Sequence, residues 1–402
     1  MIPLEQRYKS LTFRRRVTMS YAGDRVIYDS DSHLMELNDY LSANADPGIR
    51  GRLPTLGDST NSLFDAKDYT TSRAHKPDTI EQLISLGDNI TKGPKWHEAL
   101  GAFNPAERST VIDLLGFKKQ VVFSSFVARL IFGTDDADIS YGAATAQNRS
   151  MAEFVADDTR MIGVAMVPLD DPDRALKEIN YSLDLGLGAT WISADAPGGR
   201  SPGHPLHDPI WATLQERGVP FILHVGSAPL NVADHWMNDG RPNRTSARGG
   251  AEVIGSKDLT VIHHSSAQFL STLILDGVLE QFPKLKGGVI EVGAGWVPDM
   301  IRRLDYAADI WARSEPHLGE FKRRPSEQIR DQLRFTPYPF EDVSELVGES
   351  APELYMFSSD YPHAEGGRDP IGRFLRTTES LSENERDLFF HRNFLDLYPV
   401  SA

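Results

Sequence analysis

The sequence RVIYDSDSHLME, residues 25–36, joins a short run of strand-forming residues to a cluster of ionisable side chains. The run predicts a β-strand over residues 25–31, because valine, isoleucine and tyrosine favour extended backbone. Residues two apart on a strand point to the same face, so we expect Asp31 and His33 to share one face where the strand ends.

Seven further runs of this kind follow, each separated from the next by a longer stretch. The predicted strands are residues 120–124, 162–168, 189–193, 219–224, 287–291, 332–336 and 354–359. Helical spacing of apolar residues is clearest over residues 171–185 and 265–282. Alternating strands and helices are typical of a parallel sheet with crossover helices. Eight such units in 402 residues favour a closed (β/α)8 TIM barrel, an α/β fold, over an open doubly wound sheet.

Composition excludes several classes of protein. The chain has 57 acidic against 42 basic residues, a formal charge of −15, which argues against a nucleic-acid partner. The absence of cysteine excludes disulfides, thiolate metal sites and a cysteine nucleophile. No apolar run approaches the roughly 18 to 20 residues that span a bilayer, and the basic N-terminus lacks the apolar core of a signal peptide. We therefore expect a cytoplasmic protein with no membrane partner.

Two stretches exceed ordinary loop lengths. We predict an N-terminal arm at residues 1–24 and a barrel domain at residues 25–402, with inserted segments at 38–117 and 226–259. These long loops follow the first and fifth strands at their carboxyl ends, the face on which barrel enzymes build active sites. Lids or binding segments are the expected role for both.

Ionisable residues recur at the ends of other predicted strands. The fifth strand ends in His224, the sixth in Glu291, and the eighth runs into Asp360. A closed barrel makes the first and eighth strands neighbours, so His224 and Asp360 are expected to lie beside the first-strand pair. Two imidazoles and two carboxylates suit zinc, iron or manganese. Each residue alone can instead cap a helix or make a structural hydrogen bond, but joint occurrence at three strand ends favours a metal.

Four motifs resemble those of the amidohydrolase superfamily. They are DSDSHLME at 29–36, VPFILHVG at 219–226, LEQFPKLKGGVIEVGAGWVP at 279–298 and LYMFSSDYPHAEGGRDP at 354–370. The four motifs, in this order along the chain, most resemble those of the amidohydrolase-related group. That group includes aminocarboxymuconate semialdehyde decarboxylase and γ-resorcylate decarboxylase. The resemblance covers residues 29–369, most of the chain.

This resemblance implies a distorted barrel, often dimeric, holding one divalent metal. It places the ligands on Asp31, His33, His224 and Asp360. Zinc is the first expectation, with manganese or iron as alternatives. Members with two metals use a carbamylated lysine on the fourth strand, and residues 188–196 contain no lysine. One metal ion per chain and a homodimer follow as expectations.

The chain departs from the family pattern in two places. The first ligand pair is His-x-His or Glu-x-His in the well-known decarboxylases, and here it is Asp31-Ser32-His33. The semialdehyde decarboxylase has a catalytic histidine after the sixth strand, where this chain has Glu291. His263 or His264 is a candidate source of the missing imidazole, and we take His264 as a catalytic candidate with Asp360 and Glu291.

Hydrolysis is the first expectation for the reaction because of Glu291. Asp360 would take a proton from metal-activated water, and Glu291 or a nearby histidine would protonate the leaving group of a small cyclic or aromatic carbonyl or carboxylic acid compound. The alternative is non-oxidative decarboxylation of an aromatic or enol carboxylic acid at the same site. A non-catalytic ligand-binding barrel ranks last, since no ligand position is missing.

Residues for binding a small-molecule substrate are suggested by position alone. The candidates are His235, Trp236, Arg248, Trp296 and His363. An arginine can hold a carboxylate through two parallel hydrogen bonds, and aromatic side chains can line an apolar pocket. His363 comes soon after Asp360, so support of the metal aspartate is its preferred role.

Overall fold

The computed structural model describes residues 19–56, 66–226, 228, 234–241 and 255–399. This part of the chain contains seven parallel strands, which pair in chain order. They are β1 (Tyr28–Leu34), β2 (Lys119–Ser124), β3 (Met161–Met166), β4 (Ala189–Trp191), β5 (Phe221–His224), β6 (Gly287–Ile290) and β7 (Leu333–Phe335). Strands joined in this order through helical crossovers confirm the α/β barrel class.

Helices occupy the connections between the strands. The longer helices are α1 (Pro77–Ile84), α2 (Pro105–Leu115), α3 (Ala137–Val155), α4 (Pro172–Asp184), α5 (Asp208–Arg217), α6 (His264–Leu275), α7 (Val297–Trp311), α8 (Pro325–Gln332) and α9 (Pro370–Thr377). Shorter helices include Tyr40–Asn44, Pro47–Arg50, Lys67–Thr70, Ala128–Gly133, Asp234–Met237, Ser256–Leu259, Val278–Gln281, Val343–Glu349, Glu383–Asp387 and Asn393–Leu397. Single 3-10 or π turns lie at Gly87–Lys92, Trp96–Glu98, Pro197–Gly199, Pro205–His207, Pro316–Glu320, Pro352–Leu354 and Leu388–Arg392. Within the described residues, every helix is too short or too polar to span a bilayer.

Residues 355–361 close the barrel without forming a regular strand. Met356 N donates to the carbonyl of Phe335 in β7 at 2.9 Å. On the other side, Asp360 N donates to the carbonyl of Asp31 at 2.9 Å, and His33 N donates to that of Tyr361 at 2.8 Å. The predicted eighth strand is thus replaced by single bridges at its two ends. This irregular segment is the distortion of the barrel.

Glycines let the fifth and sixth strands pack closely. A Cβ atom on Gly287 would lie 2.2 Å from the Phe221 ring, and one on Gly288 would lie 2.8 Å from Ile222. Ile222, Ile290 and residues of the last helix belong to one buried apolar cluster. That cluster fills the barrel below the strand ends.

The predicted first strand was displaced by three residues. Strand β1 covers Tyr28–Leu34 rather than residues 25–31, and every residue after Tyr28 is buried. A strand buried on both faces shows no alternation of polar and apolar residues, so its bounds are poorly marked in sequence. At the predicted arm, Tyr21 N and Ala22 N donate to the carbonyls of Leu114 and Leu115 at 2.9 Å, which attaches this part of the chain to α2.

Candidate metal centre

The four predicted metal ligands lie together at the carboxyl end of the barrel. The Nε2 atom of His33 is 3.3 Å from Oδ1 of Asp31 and 3.6 Å from Oδ1 of Asp360. The Nε2 atom of His224 is 3.5 Å from the same Asp31 oxygen. All four side chains are buried. The structure therefore brings together the residues that the strand ends suggested.

Glu291 belongs to the same cluster. Its Oε2 atom is 3.3 Å from Nε2 of His224 and 3.6 Å from Nε2 of His33. Two overlapping groups have their candidate ligand atoms within 4.8 Å of one another, namely Asp31, His33, His224 and Glu291, and His33, Glu291, Asp360 and His363. The carboxylate that the sequence suggested for acid–base chemistry thus also faces the ligand set.

Both Glu291 and Asp360 have left-handed backbone, with φ of 58° and 52°. This conformation is disfavoured for residues that carry a Cβ atom. At Glu291, the amide N donates to Thr336 Oγ1 and the carbonyl accepts from the Tyr338 hydroxyl, each at 3.0 Å. Strained backbone at two clustered carboxylates is typical of a functional site.

Each histidine is oriented through its other ring nitrogen. Nδ1 of His33 lies 3.2 Å from the carbonyl of Ser124, and Nδ1 of His224 lies 2.9 Å from that of Val225. A carbonyl accepts only from a protonated nitrogen, so neutral rings in this arrangement carry their lone pair on Nε2. Both lone pairs therefore point into the carboxylate cluster, as metal ligands require.

Asp29 attaches the closing segment to β1 beneath the cluster. Its carboxylate accepts from Ser359 N at 2.8 Å, from Ser359 Oγ at 2.6 Å and from Gln120 Nε2 at 2.8 Å. Burial raises the pKa of Asp29 to about 7, although these hydrogen bonds oppose the rise. The contact fixes the residue before Asp360 directly to the strand that carries Asp31.

A buried arginine supports the same strand. Arg108 donates to the carbonyl of Gly101 at 2.7 Å, to Gln120 Oε1 at 3.0 Å and to the carbonyl of His33. Burial lowers its pKa to about 10, well above neutrality. The guanidinium therefore remains charged and holds the backbone of a candidate ligand from outside the cluster.

The pKa values of the two aspartates in the cluster are shifted in opposite directions. Burial opposes ionisation of Asp31, but contact with His224 and His33 outweighs it and lowers the pKa of Asp31 to about 2. Burial, followed by the charges of Glu291 and Asp31, raises the pKa of Asp360 well above its usual value. Negative charge is thus concentrated beyond what two imidazoles can balance.

The residues fit a divalent metal ion. Oδ1 of Asp31, Nε2 of His33 and Oδ1 of Asp360 are fully buried, and none makes a hydrogen bond of ordinary geometry within the described chain. Buried polar atoms are normally satisfied, so three such atoms facing one another require a bound group. Nitrogen and oxygen donors in this number suit zinc or manganese.

His363 contacts two of the candidate ligands. Its Nδ1 atom is 3.1 Å from Oδ1 of Asp360, and its Nε2 atom is 2.9 Å from Ser125 Oγ. Its ring stacks on that of His33, with centroids 3.9 Å apart. The supporting role suggested for His363 and its contact with substrate both stay predictions.

The remaining predicted site residues differ in their surroundings. His264 is exposed at the start of α6, and its recorded ring contact is with His263 at 4.7 Å. His235 and Trp236 are also exposed, Trp236 to 70%. Trp296 is half-buried against His263, with centroids 5.6 Å apart, and Arg248 lies outside the described residues. Among the described residues, the grouped candidate ligands do not include His264, His235, Trp236 or Trp296.

Sequence reasoning missed the residues that hold the ligands in place. Asp29 and Arg108 are two of them, and Glu36 is a third. Oε1 of Glu36 accepts from the backbone of Ser125 at 2.9 Å and of Phe126 at 2.8 Å, which fixes the loop after β2. Strand β1 has a register irregularity between Asp29 and Ser32, so strand alternation did not reveal the position of Asp29 relative to Asp31. Arg108 contacts residues that are distant in sequence, such as His33, so no local sequence pattern predicts its role.

Residues 96–400 match the family model described as amidohydrolase. The chain belongs to the amidohydrolase family. Among curated relatives, γ-resorcylate decarboxylase from Rhodococcus jostii (strain RHA1) is 27% identical over 215 residues, which are 50% of this chain. This match spans 60% of the relative's own length. The suggested superfamily is therefore confirmed, and with it the assignment of the chain as an amidohydrolase-superfamily enzyme.

Solved structures agree in fold along almost the whole chain. An amidohydrolase from Mycobacterium avium subsp. paratuberculosis K-10 is 25% identical with a TM-score of 0.71, covering 93% of this chain and 99% of its own. A dihydroxybenzoic acid decarboxylase from Polaromonas sp. JS666, with bound manganese and the inhibitor 2-nitroresorcinol, is 17% identical with a TM-score of 0.58. It covers 94% of this chain and 98% of its own, and confirms the barrel fold.

Proposed function

We propose that this enzyme catalyses the non-oxidative decarboxylation of an aromatic carboxylic acid at a single divalent metal. The observation that carries the proposal is the convergence of two buried imidazoles with the buried Asp31 and Asp360 and the partly buried Glu291. Similarity to γ-resorcylate decarboxylase supports decarboxylation over the hydrolysis first expected from Glu291. A dimer and a cytoplasmic location stay predictions.

Asp31, His33, His224 and Asp360 would hold the metal. A bound divalent ion would supply positive charge for the oxygen atoms of the acid and so orient the ring. Two carboxylates balance the charge of such an ion, and two neutral imidazoles leave that balance unchanged. Manganese, present in the Polaromonas decarboxylase, is the first ion to test, with zinc as the second.

Glu291 would carry the proton for the reaction. Carbon dioxide leaves with cleavage of the carbon–carbon bond, whose electron pair remains on the ring carbon and takes up one proton. A third carboxylate, partly buried beside Asp31 and Asp360, exceeds the charge that a divalent ion balances, which favours the neutral acid at Glu291. A carboxylic acid there would donate the proton, at the position where the semialdehyde decarboxylase has its catalytic histidine.

Isotope labelling separates the two reactions. Manganese-loaded enzyme with γ-resorcylate in heavy water should release carbon dioxide and place one deuterium on the ring carbon that lost it. A hydrolase acting on a lactone or amide would instead place oxygen from ¹⁸O-labelled water in the product. Absence of carbon dioxide release across a panel of hydroxylated benzoic acids, with label uptake from water, would replace decarboxylation by hydrolysis.

A further inference from the structure

The segment at residues 95–97 crosses the carboxyl face of the barrel beside the metal centre. Trp96 N donates to the carbonyl of Pro362 at 3.1 Å, and Lys95 Nζ donates to that of Gly367 at 2.8 Å. On the other side, the ring of His97 lies 2.9 Å from the carbonyl of Glu36. The segment is therefore held to the loops that follow the first strand and the closing segment.

Trp96 continues a series of rings that starts at a candidate ligand. The ring of His33 stacks on His363 with centroids 3.9 Å apart, and Trp96 lies 5.0 Å beyond. Exposure rises along the series, because His33 and His363 are buried whereas Trp96 is half-buried. Trp96 also has left-handed backbone, with φ of 60°. The indole of Trp96 is thus the more exposed end of this series, next to His363 and one ring away from the candidate ligand His33.

Lys95 places a positive charge next to this ring. Its charge acts on His363 and contributes to lowering the pKa of that imidazole, after burial and the two ligand histidines. In return, Asp360 and Glu365 oppose the lowering of the Lys95 pKa that burial causes. An ammonium group has three hydrogens, and the bond to Gly367 uses one of them. Among the described residues this is the hydrogen bond that the ammonium makes, which leaves two of its donors for a ligand.

The positive charge of Lys95 offsets negative charge in and around the metal centre. Asp31 and Asp360 already balance a divalent ion, so the metal centre offers little net attraction to an anion. The whole chain carries a formal charge of −15, which repels an anionic substrate further. A cation at the entrance offsets both effects. Arg368, exposed on the same side and bonded to the carbonyl of Lys92 at 2.9 Å, adds a second positive charge.

We propose that Lys95 and Trp96 form the recognition subsite for an aromatic carboxylate, with the ammonium pairing with the carboxylate and the indole packing on the ring. The inference rests on the proposed function, since it names the residues that would select its substrate class. It assigns specificity to one part of the insertion at residues 38–117, for which a lid or binding role was expected from its length.

Binding of an inert probe tests the subsite without turnover. Manganese-loaded wild type, Lys95→Met and Lys92→Met are titrated calorimetrically with benzoate and with its neutral analogue benzamide, after metal content is measured in each. Lys95→Met should weaken benzoate binding about tenfold, the loss of one charged hydrogen bond, with no change for benzamide or metal content. Lys92→Met should match the wild type, since the Lys92 ammonium bonds only the exposed Asn89 in the described chain.

Trp96→Phe and Trp96→Leu complete the test. The phenyl variant should retain most affinity for both probes, and the leucine variant should weaken both about equally. Equal benzoate binding by Lys95→Met and wild type, or no benzoate binding by the wild type, would overturn the subsite. If benzoate binds as expected but no aromatic acid loses carbon dioxide, the subsite stands and the proposed reaction fails.

Discussion

The imidazole rings of His33 and His363 stack nearly parallel, with centroids 3.9 Å apart and planes inclined by 21°. Since His363 also contacts Asp360 at 3.1 Å, one side chain touches candidate ligands from both the first strand and the closing segment. Its Nε2 atom is in turn held by Ser125. The ligands from the two ends of the barrel are therefore positioned relative to each other by the ring of His363.

His363→Ala should weaken metal binding by about 10- to 100-fold, the usual effect of removing a group that orients metal ligands. His363→Phe keeps the ring but loses the contact with Asp360, so its affinity should fall between those of the alanine variant and the wild type. Competition with a fluorescent chelator measures the affinity. His235→Ala, on an exposed helix, is the matched control and should bind metal normally. Wild-type affinity in His363→Ala would show that the stacking has no role in binding.

Asp360→Ala and His224→Ala should each lose the metal, whereas Glu291→Gln should retain about one ion per chain. Glutamine cannot deliver a proton, so decarboxylation by Glu291→Gln should fall by roughly 10² to 10⁴. Elemental analysis and initial rates on the same preparations separate the two effects. Loss of metal from Glu291→Gln would instead make Glu291 a ligand and move the proton donor elsewhere.

Asp29→Asn should lower the free energy of unfolding by about 2–3 kcal/mol, because an amide places two hydrogens against Ser359 and Gln120, which are both donors. Urea unfolding of the metal-depleted protein measures the change without a contribution from metal binding. Asp24→Asn, on an exposed residue before the strand, is the control and should leave stability unaltered. An unchanged urea midpoint in Asp29→Asn would mean that the closing segment is held by other contacts.

Asp158 should stabilise the protein in a pH-dependent manner. Burial opposes its ionisation, but Arg160 outweighs this and lowers the pKa of Asp158 to about 2, below the ordinary value of 3.8. The native state thus binds the proton less readily than the unfolded state, so the stabilisation is present above about pH 4 and is lost as pH falls through about 2. The stability difference between wild type and Asp158→Asn should shrink between pH 6 and pH 3. A constant difference would contradict this, and the exposed Asp157→Asn is the control.

Much of the candidate site was predictable because its residues follow strands. Asp31, His33, His224 and Asp360 each come at or near the end of an apolar run, and parallel strands bring such ends to one face. The expected positions of His264, His235 and Trp236 depended on loop conformation, which residue periodicity does not determine. These three side chains proved to be exposed.

The remaining differences arise from contacts between distant parts of the chain. The hydrogen bond from Ser359 to Asp29 joins residues 330 positions apart, and no local sequence pattern predicts such a pair. The closing segment was predicted as a strand from its composition, but its neighbours contact it at separate points and leave it irregular. Local propensity identifies the segment, and tertiary contacts decide its conformation.

The closure of the barrel by residues 355–361 also governs when the metal centre can exist. Asp31 lies on the first strand to be synthesised, and Asp360 lies on the last barrel element to leave the ribosome. A growing chain therefore holds an incomplete set of donors until its two ends have met, and pairing across such a sequence separation is slow. A metal ion held by these residues would therefore bind late in folding, after the barrel has closed. The presence of a bound ion would then show that barrel closure is complete.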